Sequence, residues 1–434
     1  MLRSFRNSFF GSRSKSEQKP SDVQEAEGQF TKDEIRDFHA SFRSVAGNAF
    51  QISYVTFLAW FHLADVEPDL AKGVCRALDR ERTQGITYDD LIVALKSVVK
   101  GTDSERARFV FRVLDSGGAG VLKPEDIAKG VEECGGRISK DLSGTDGIRD
   151  VALAVAAGAM KGERGESFDE LGFDEFYSWC TKVPSVVRVL GSLMDSWREV
   201  PHPPSLVIPK LAICKEAQGK GTMLDPSWLW LLCGGLPQQY CNEWELLFSS
   251  RVHGASYNTL LGAITNKGVT LLIVRDTQGH TFGGLATTPW EKKGNFFGDY
   301  SSFLFTVQPT FNVYKSSGVN ENFQWCGQGF NELPNGVGFG GQMRYFSLFV
   351  DDSFEGGMSR PTVTFGTPCL ASAEVFKVKE VECWLVEPVE EDPWDARKSK
   401  SVLDRNLEDQ RVLELAGKVK YSDGYRAEDP NLES

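Results

Sequence analysis

Four prolines, Pro201, Pro203, Pro204 and Pro209, fall within nine residues and divide this chain into two stretches of different character. A helix cannot run through such a cluster, because each ring removes an amide donor and pushes the preceding residue toward extended backbone. Before it, residues 29–197 space their apolar side chains three and four apart, the period of helices, and strand-like alternation is scarce. After it, residues 222–388 are rich in glycine and carry short β-prone runs such as Val269–Arg275, Ser302–Val307, Gln342–Val350 and Val375–Val386. Turn signals separate these runs, as in Asp276-Thr-Gln-Gly279 and Leu333-Pro-Asn-Gly336, and many short strands at this spacing predict a packed two-sheet core. Flanking helices are expected at Ser227–Leu232 and Ser256–Ala263. The fold class expected is therefore α+β and multidomain. Its parts are a disordered basic tail (1–28), an all-α domain (29–197), a proline-rich linker (198–221), a β-rich domain (222–388) and an acidic linker, helix and polar tail (389–434).

At 434 residues the chain has room for two or three domains. Its 48 Lys and Arg against 60 Asp and Glu give a net charge of −12, which argues against a nucleic-acid binder. No apolar run reaches the length of a membrane span. No continuous apolar stretch follows the N-terminal arginines, so no secretory leader is expected. Nine cysteines without tight spacing fit reduced thiols in the cytosol. Arg3, Arg6, Arg13, Lys15 and Lys19 make the first residues basic, and Leu2, Phe5, Phe9 and Phe10 could share a helical face. Such a stretch can touch an anionic membrane surface weakly, or simply stay disordered.

Two loops in the helical half fit the frame of an EF-hand, which needs oxygen ligands at positions 1, 3, 5 and 12, glycine at 6 and an aliphatic at 8. In the first, Asp115 to Asp126, Gly120 takes position 6 and Leu122 position 8, but Gly117 and Ala119 supply no side-chain oxygen at 3 and 5. In the second, Asp79, Glu81, Thr83 and Asp90 supply better ligands and Ile86 takes position 8. Gln84 stands there where glycine is wanted, with Gly85 one place late. Ile52 and the run Leu171–Phe176 hint at two further helix–loop–helix units. Calcium is thus a low expectation and no other cofactor is expected; the loops would keep their shape, pair through the position-8 aliphatics and leave grooves for a peptide. Thr31 with Glu34 predicts a capping box opening the first helix of that half.

Several blocks of the β-rich half occur in a specific order. They are Trp244–Ser250, His253–Leu261, Gly268–Asp276, Phe282-Gly-Gly284, Phe303-Leu-Phe305, Gly318 with Asn320, Gly336–Gly341 and Glu382-Cys-Trp384. Together they resemble a TLDc domain over about residues 222–388. The helical region ahead of it, and the tail Leu413–Lys418 with Tyr421–Arg426, narrow the resemblance to the mTOR-associated subgroup of TLDc proteins. The resemblance implies a two-sheet β-sandwich with flanking helices and a regulatory role. Partners so implied are the peripheral sector of the vacuolar-type proton ATPase and the mTOR pathway, with a link to oxidative-stress resistance. The location implied is cytoplasmic and peripheral to the lysosomal or vacuolar membrane. A helix at about 399–418, with apolar Leu403, Leu407 and Leu413, would dock at a subunit interface. Recognition residues are expected at Ser249 and His253, at Gly338 and Gly340, and at Glu382 and Trp384. Animal members of the subgroup carry a glycine for myristoylation at position 2, where this chain has Leu2.

Catalysis finds little support in the sequence, and no enzyme is expected. Ser256 lies near His253, but no nucleophile elbow frames a serine. Cys233 and Cys241 are too far apart in sequence for a CxxC-type pair, and Cys326, Cys369 and Cys383 stand alone. Gly336–Gly341 lacks the Lys-Ser/Thr of a phosphate loop and leads into a strand, so it reads as a tight turn or bulge. Glu382 has three readings: a solvated strand residue, a buried partner that fixes a loop, or a catalytic acid. The alternatives to a regulator are a hydrolytic or antioxidant enzyme and a calcium-responsive adaptor.

Overall fold

Hydroxyl side chains set where the helices of the first half begin. Thr31, Ser53, Thr87 and Thr102 each accept a backbone N–H from the first turn they precede, which satisfies a donor that the helix itself leaves open. The Thr31–Glu34 pair forms the reciprocal box that the sequence predicts, with N–H···O distances of 2.8 and 3.2 Å. The computed structural model describes residues 21–138, 145–162, 166–194, 208–214 and 221–389. Residues 1–20 of the basic tail, most of the proline-rich linker and the segment with Leu403, Leu407 and Leu413 lie outside the described residues; residues 21–28, expected to belong to the disordered tail, instead form a helix that buries Val23 and Ala26.

The helices are α1 (Ser21–Gly28), α2 (Lys32–Ala46), α3 (Tyr54–Trp60), α4 (Pro68–Leu78), α5 (Tyr88–Leu95), α6 (Asp103–Leu114), α7 (Pro124–Ile138), α8 (Thr145–Ala159), α9 (Phe173–Lys182) and α10 (Pro184–Ser192). Two short strands, β1 (Gln51–Ser53) and β2 (Gly85–Thr87), join the loops ahead of α3 and α5, with Ile52 opposite Ile86. Leu122 and Leu171 pair in the same way, exchanging N–H···O bonds of 2.9 and 2.8 Å. The four aliphatics singled out in the sequence thus meet two by two. No helix among the described residues is long and apolar enough to cross a membrane.

The second half adds β3 (Lys210–Ala212), α11 (Pro226–Cys233), β4 (Glu243–Ser249), α12 (Ser250–His253), α13 (Tyr257–Ile264), β5 (Gly268–Asp276), β6 (Thr281–Ala286), β7 (Phe303–Gln308) and β8 (Asn312–Lys315). Then follow β9 (Gln324–Gly327), β10 (Gly336–Gln342), β11 (Tyr345–Asp351), β12 (Gly356–Met358) and β13 (Val375–Pro388). These strands do not form two separate sheets, as the sequence reading has it. They hydrogen-bond as one eleven-stranded sheet, with the path β8-β7-β6-β5-β13-β12-β11-β10-β9, β4 also paired with β13 and β3 paired with β4. The reason is the length of β13, fourteen residues. Its first three residues pair with β12, and the rest pair with β5 on one side and β4 on the other. The two wings joined by this strand face each other across one apolar core, where Phe282 meets Phe376 and Trp290 meets Phe339 edge to face.

The wing built on β5 is covered on its other face too. Along β5, Leu272 and Val274 enter the core between the wings, while Leu271 and Ile273 enter a second core shared with the helices. β13 divides likewise: Val381 and Cys383 on one side, Trp384 and Val386 on the other. A strand buried on both faces reads as a continuous apolar run, and Leu271–Val274 is one. The seam with the helical half is specific. Phe311 donates its N–H to the Ala154 carbonyl at 2.9 Å and stacks on Trp228, and Gly158 of α8 lies against the Phe311 backbone. Ser185 and Arg188 of α10 donate to the carbonyls of Leu231 and Gly234, at 3.1 and 2.6 Å.

A side chain at position 158 has no room, because its Cβ would strike the Phe311 carbonyl oxygen. Gly158→Val should therefore lower stability by about 3 kcal/mol, read as a fall in the urea midpoint followed by tryptophan fluorescence. Gly262→Ala, in the middle of α13 with open space around it, should raise stability by about 0.5–1 kcal/mol. An unchanged midpoint for Gly158→Val would contradict the seam.

Candidate functional site

The turn from β4 into α12 holds two of the sequence-predicted residues, and β13 brings two more beside it. Ser249 ends β4 and lies opposite Glu382 in the ladder. His253 folds back on its own turn: its Nδ1 accepts the Ser249 N–H at 3.0 Å and its ring stacks on Phe248. Gly254, with φ of +80°, then reverses the chain, a conformation glycine adopts without strain. Ser256 accepts the Thr259 N–H at 3.3 Å and so caps α13. Histidine and serine are each engaged by local backbone and do not form a nucleophile–base pair with one another.

Glu382 is 1 % exposed, which removes the solvated reading. Its Oε2 accepts the Met223 N–H at 3.0 Å and the Trp384 indole N–H at 3.3 Å, so it ties the start of the sheet half to β13. Its Oε1 is buried without a hydrogen-bond partner. Burial pushes the carboxyl above the usual range, against the pull of those two donors. Glu380, two residues earlier, meets Arg275 at 3.3 Å and Arg251 at 3.8 Å, and the Arg251 side chain is exposed. Charged and ring groups at the surface of this region are thus Arg251 and His253, while Ser249, Glu382 and Trp384 are buried beneath.

Gly338 and Gly340 lie in the other wing, within β10, and both are buried. They serve close packing. A Cβ at Gly338 would sit 2.7 Å from the Leu348 carbonyl oxygen, and one at Gly340, where φ is +65°, would strike the Ser347 hydroxyl. Gly336–Gly341 thus form a strand in unbroken register with β11, where the sequence predicts a tight turn or bulge; the close backbone approach is as expected, and no helix N-terminus stands there to hold a phosphate.

The acidic side chains of the two loops bond their own backbone. Asp79 is buried and accepts the Tyr54 hydroxyl at 2.6 Å, the Thr83 N–H at 2.9 Å and the Gln84 N–H at 2.8 Å. Burial alone would push its carboxyl up, but these bonds hold it below the usual range. Asp115 accepts the N–H groups of Ala119 and Gly120 at 2.8 and 2.9 Å. Asp90 and Asp126 turn to the N–H groups of Thr87 and Lys123, where their helices begin. Glu81 and Thr83 are exposed. Calcium asks for six to eight oxygens. Among the described residues no three His, Cys, Asp or Glu side chains gather where they could hold a metal ion. Gln84 takes the left-handed conformation, φ +62°, where Gly120 takes φ +79° in the companion loop, so the turn forms without glycine.

A cleft of about 1100 Å³ opens between α7, α8 and the β5–β6 turn, a feature the sequence reading did not reach. Leu153, Met160, Phe168 and Pro309 give it apolar walls, and Lys129 and Arg149 stand among its charged residues. Asp276 shapes its edge: the buried carboxylate accepts the N–H groups of Gln278 and His280 at 2.9 Å and of Ser372 at 3.0 Å. Burial raises this carboxyl, and the bonds from Ser372 and His280 outweigh burial, so its pKa lies below the usual carboxylate range. Stability from Asp276 is therefore present above the unfolded pKa of about 3.9 and lost as pH falls through the folded value. Asp276→Asn should cost about 2 kcal/mol at pH 7. The gap to the unchanged protein should narrow in denaturant titrations below pH 4; a gap constant with pH would contradict this assignment.

Residues 217–387 match the family model of the TLDc domain. The chain is similar to MTOR-associated protein MEAK7 of Danio rerio, 31% identical over 363 residues, which covers 79% of this chain and 80% of that protein. It is 30% identical to MTOR-associated protein MEAK7 of Homo sapiens over 372 residues, 79% of this chain and 81% of that protein. Similarity to Oxidation resistance protein 1 of Homo sapiens, at 31% over 152 residues, covers 35% of this chain and 17% of that protein. A match over four fifths of the chain is longer than either the helical or the sheet half and so takes in both. The chain belongs to the TLDc-domain family and, within it, to the family of MTOR-associated protein MEAK7.

Proposed function

We propose that this chain is a non-catalytic regulatory protein that binds the peripheral sector of the vacuolar-type proton ATPase at the lysosomal or vacuolar membrane. It would act in mTOR-type signalling and in resistance to oxidative stress. The observation that carries this reading is the similarity to MTOR-associated protein MEAK7 across both halves of the chain. The shorter similarity to Oxidation resistance protein 1 supports the second role. The site geometry favours binding over chemistry: Ser256, His253, Asp79, Asp90, Asp115 and Asp126 are engaged by backbone, and Glu382, whose buried Oε1 has no hydrogen-bond partner, is sealed from solvent. In this reading the exposed Arg251–His253 turn touches the assembly, and residues 399–418, with Leu403, Leu407 and Leu413, insert at a subunit interface. The buried residues beneath hold that turn in shape. The helical half orients the contact through its seam with the sheet. Binding one rotary state better than another would bias assembly or turnover, since a ligand shifts an equilibrium only by its differential affinity.

Co-sedimentation with purified vacuolar-type ATPase tests this. The full chain should pellet with the enzyme, and a chain ending at residue 396 should bind at least tenfold more weakly. Calcium and chelator should leave binding equal, because the loop acids already bond their own backbone. No binding by either chain would overturn the proposal.

A further inference from the structure

The sequence spacing of Cys233 and Cys241 argues against a pair, yet the fold places them together. Cys233 ends α11, and Cys241 ends a short 3-10 turn, Gln238–Cys241. Three backbone bonds curl the chain between them: Gly234 N–H to Trp230 O at 3.2 Å, Leu236 N–H to Cys233 O at 3.0 Å and Tyr240 N–H to Pro237 O at 2.9 Å. The Cys241 Sγ thereby comes within 3.8 Å of the Cys233 carbonyl oxygen and 3.7 Å of the Pro237 carbonyl oxygen, with the Cys233 side chain next to it. That contact divides their character. The Cys233 thiol beside it, helped by the Arg188 guanidinium, holds Cys241 below the usual thiol range, while Cys233 is pushed well above it. Arg188 is fixed in place by its 2.6 Å bond to the Gly234 carbonyl. Other thiols of the sheet half are unlike this pair: burial pushes Cys326 up to about 11 and Cys383 up to about 12. Both members of the pair are buried, and in the loop that joins them Gly235, Pro237, Gln238 and Gln239 face solvent.

We propose that Cys233 and Cys241 are an oxidation site that hydrogen peroxide closes to a disulfide. The Cys241 thiolate attacks one peroxide oxygen, the O–O bond breaks, and the departing hydroxide takes a proton to become water. The sulfenic acid so formed on Cys241 is then displaced by the Cys233 sulfur, which loses its proton, and a second water leaves. In sum two thiols and one peroxide give one disulfide and two waters; the thiol pair loses the two electrons that the peroxide gains. A dithiol reductant reverses the bond by exchange. The position gives the reaction a consequence. The loop that the disulfide would brace is the one gripped by Ser185 and Arg188 of α10, and Gly234 has no space for a side chain against Ser185. Oxidation therefore acts on the seam between the helical and sheet halves.

Peptide mapping of the full chain tests this without a variant. No lysine or arginine lies between Lys220 and Arg251, so trypsin releases both cysteines in one peptide. After peroxide treatment and alkylation without reduction, this peptide should be two hydrogens lighter than its reduced form and carry no alkyl group. Reduction should restore two alkylatable thiols. In Cys233→Ser, Cys241 should instead be trapped as the sulfenic acid by dimedone, and Cys241→Ser should slow oxidation at position 233 at least tenfold. Labelling of Cys326 or Cys383 ahead of this pair would overturn the proposal. So would a peptide that oxidises only after the chain is unfolded.

Discussion

Burial of one sheet wing on both faces is the constraint on which the rest of this structure depends. Leu271, Ile273, Trp384 and Val386 leave one face of β5 and β13 apolar after the opposite face has packed between the wings. At about 25 cal/mol per Å2 of apolar surface removed from water, an uncovered face of that size is costly. The helices α8, α10 and α11 supply the cover, and Phe311, Gly158, Ser185 and Arg188 fix how they sit. The described residues on the two sides of the proline cluster therefore share a hydrophobic core and belong to one packed unit.

That packing also absorbs polar groups that a sequence reader would spend on chemistry. Glu382 bonds Met223, 159 positions earlier, and Trp384; His253 bonds Ser249; Asp276 bonds three amides around a turn. Each fixes a loop next to the seam or the cleft. Above them, Arg251 and His253 are exposed. A fold that uses its polar side chains in this way is suited to presenting a shaped surface, and a regulator needs such a surface to favour one state of its partner.

Local signals were legible in the sequence and long-range ones were not. The capping box at Thr31 and the helices near Ser227 and Ser256 follow from neighbours a few residues apart, and the pairing of Ile52 with Ile86 follows the rule that aliphatics at position 8 join two such loops. The alternation within Val375–Val386 announced a strand, but not that its first residues would join another wing and turn two sheets into one. The solvated and buried readings of Glu382 could not be told apart, because the amide that it bonds belongs to Met223, far away in the sequence. Cys233 and Cys241 looked too distant for a pair, since spacing does not show how a Gly-Gly-Leu-Pro loop curls. The cleft draws its walls from segments far apart in the chain, and periodicity carries no information about that. The loop acids fitted an ion-binding frame by type and position, yet Asp79, Asp90, Asp115 and Asp126 bond their own backbone, which residue type does not show.

The central claim is that the helices and the sheet stabilise each other through one shared core. Differential scanning calorimetry of the full chain tests it most directly. The account predicts a single transition whose calorimetric and van't Hoff enthalpies agree, the mark of one cooperative unit. Two resolved transitions, with the helical half melting apart from the sheet half, would contradict it.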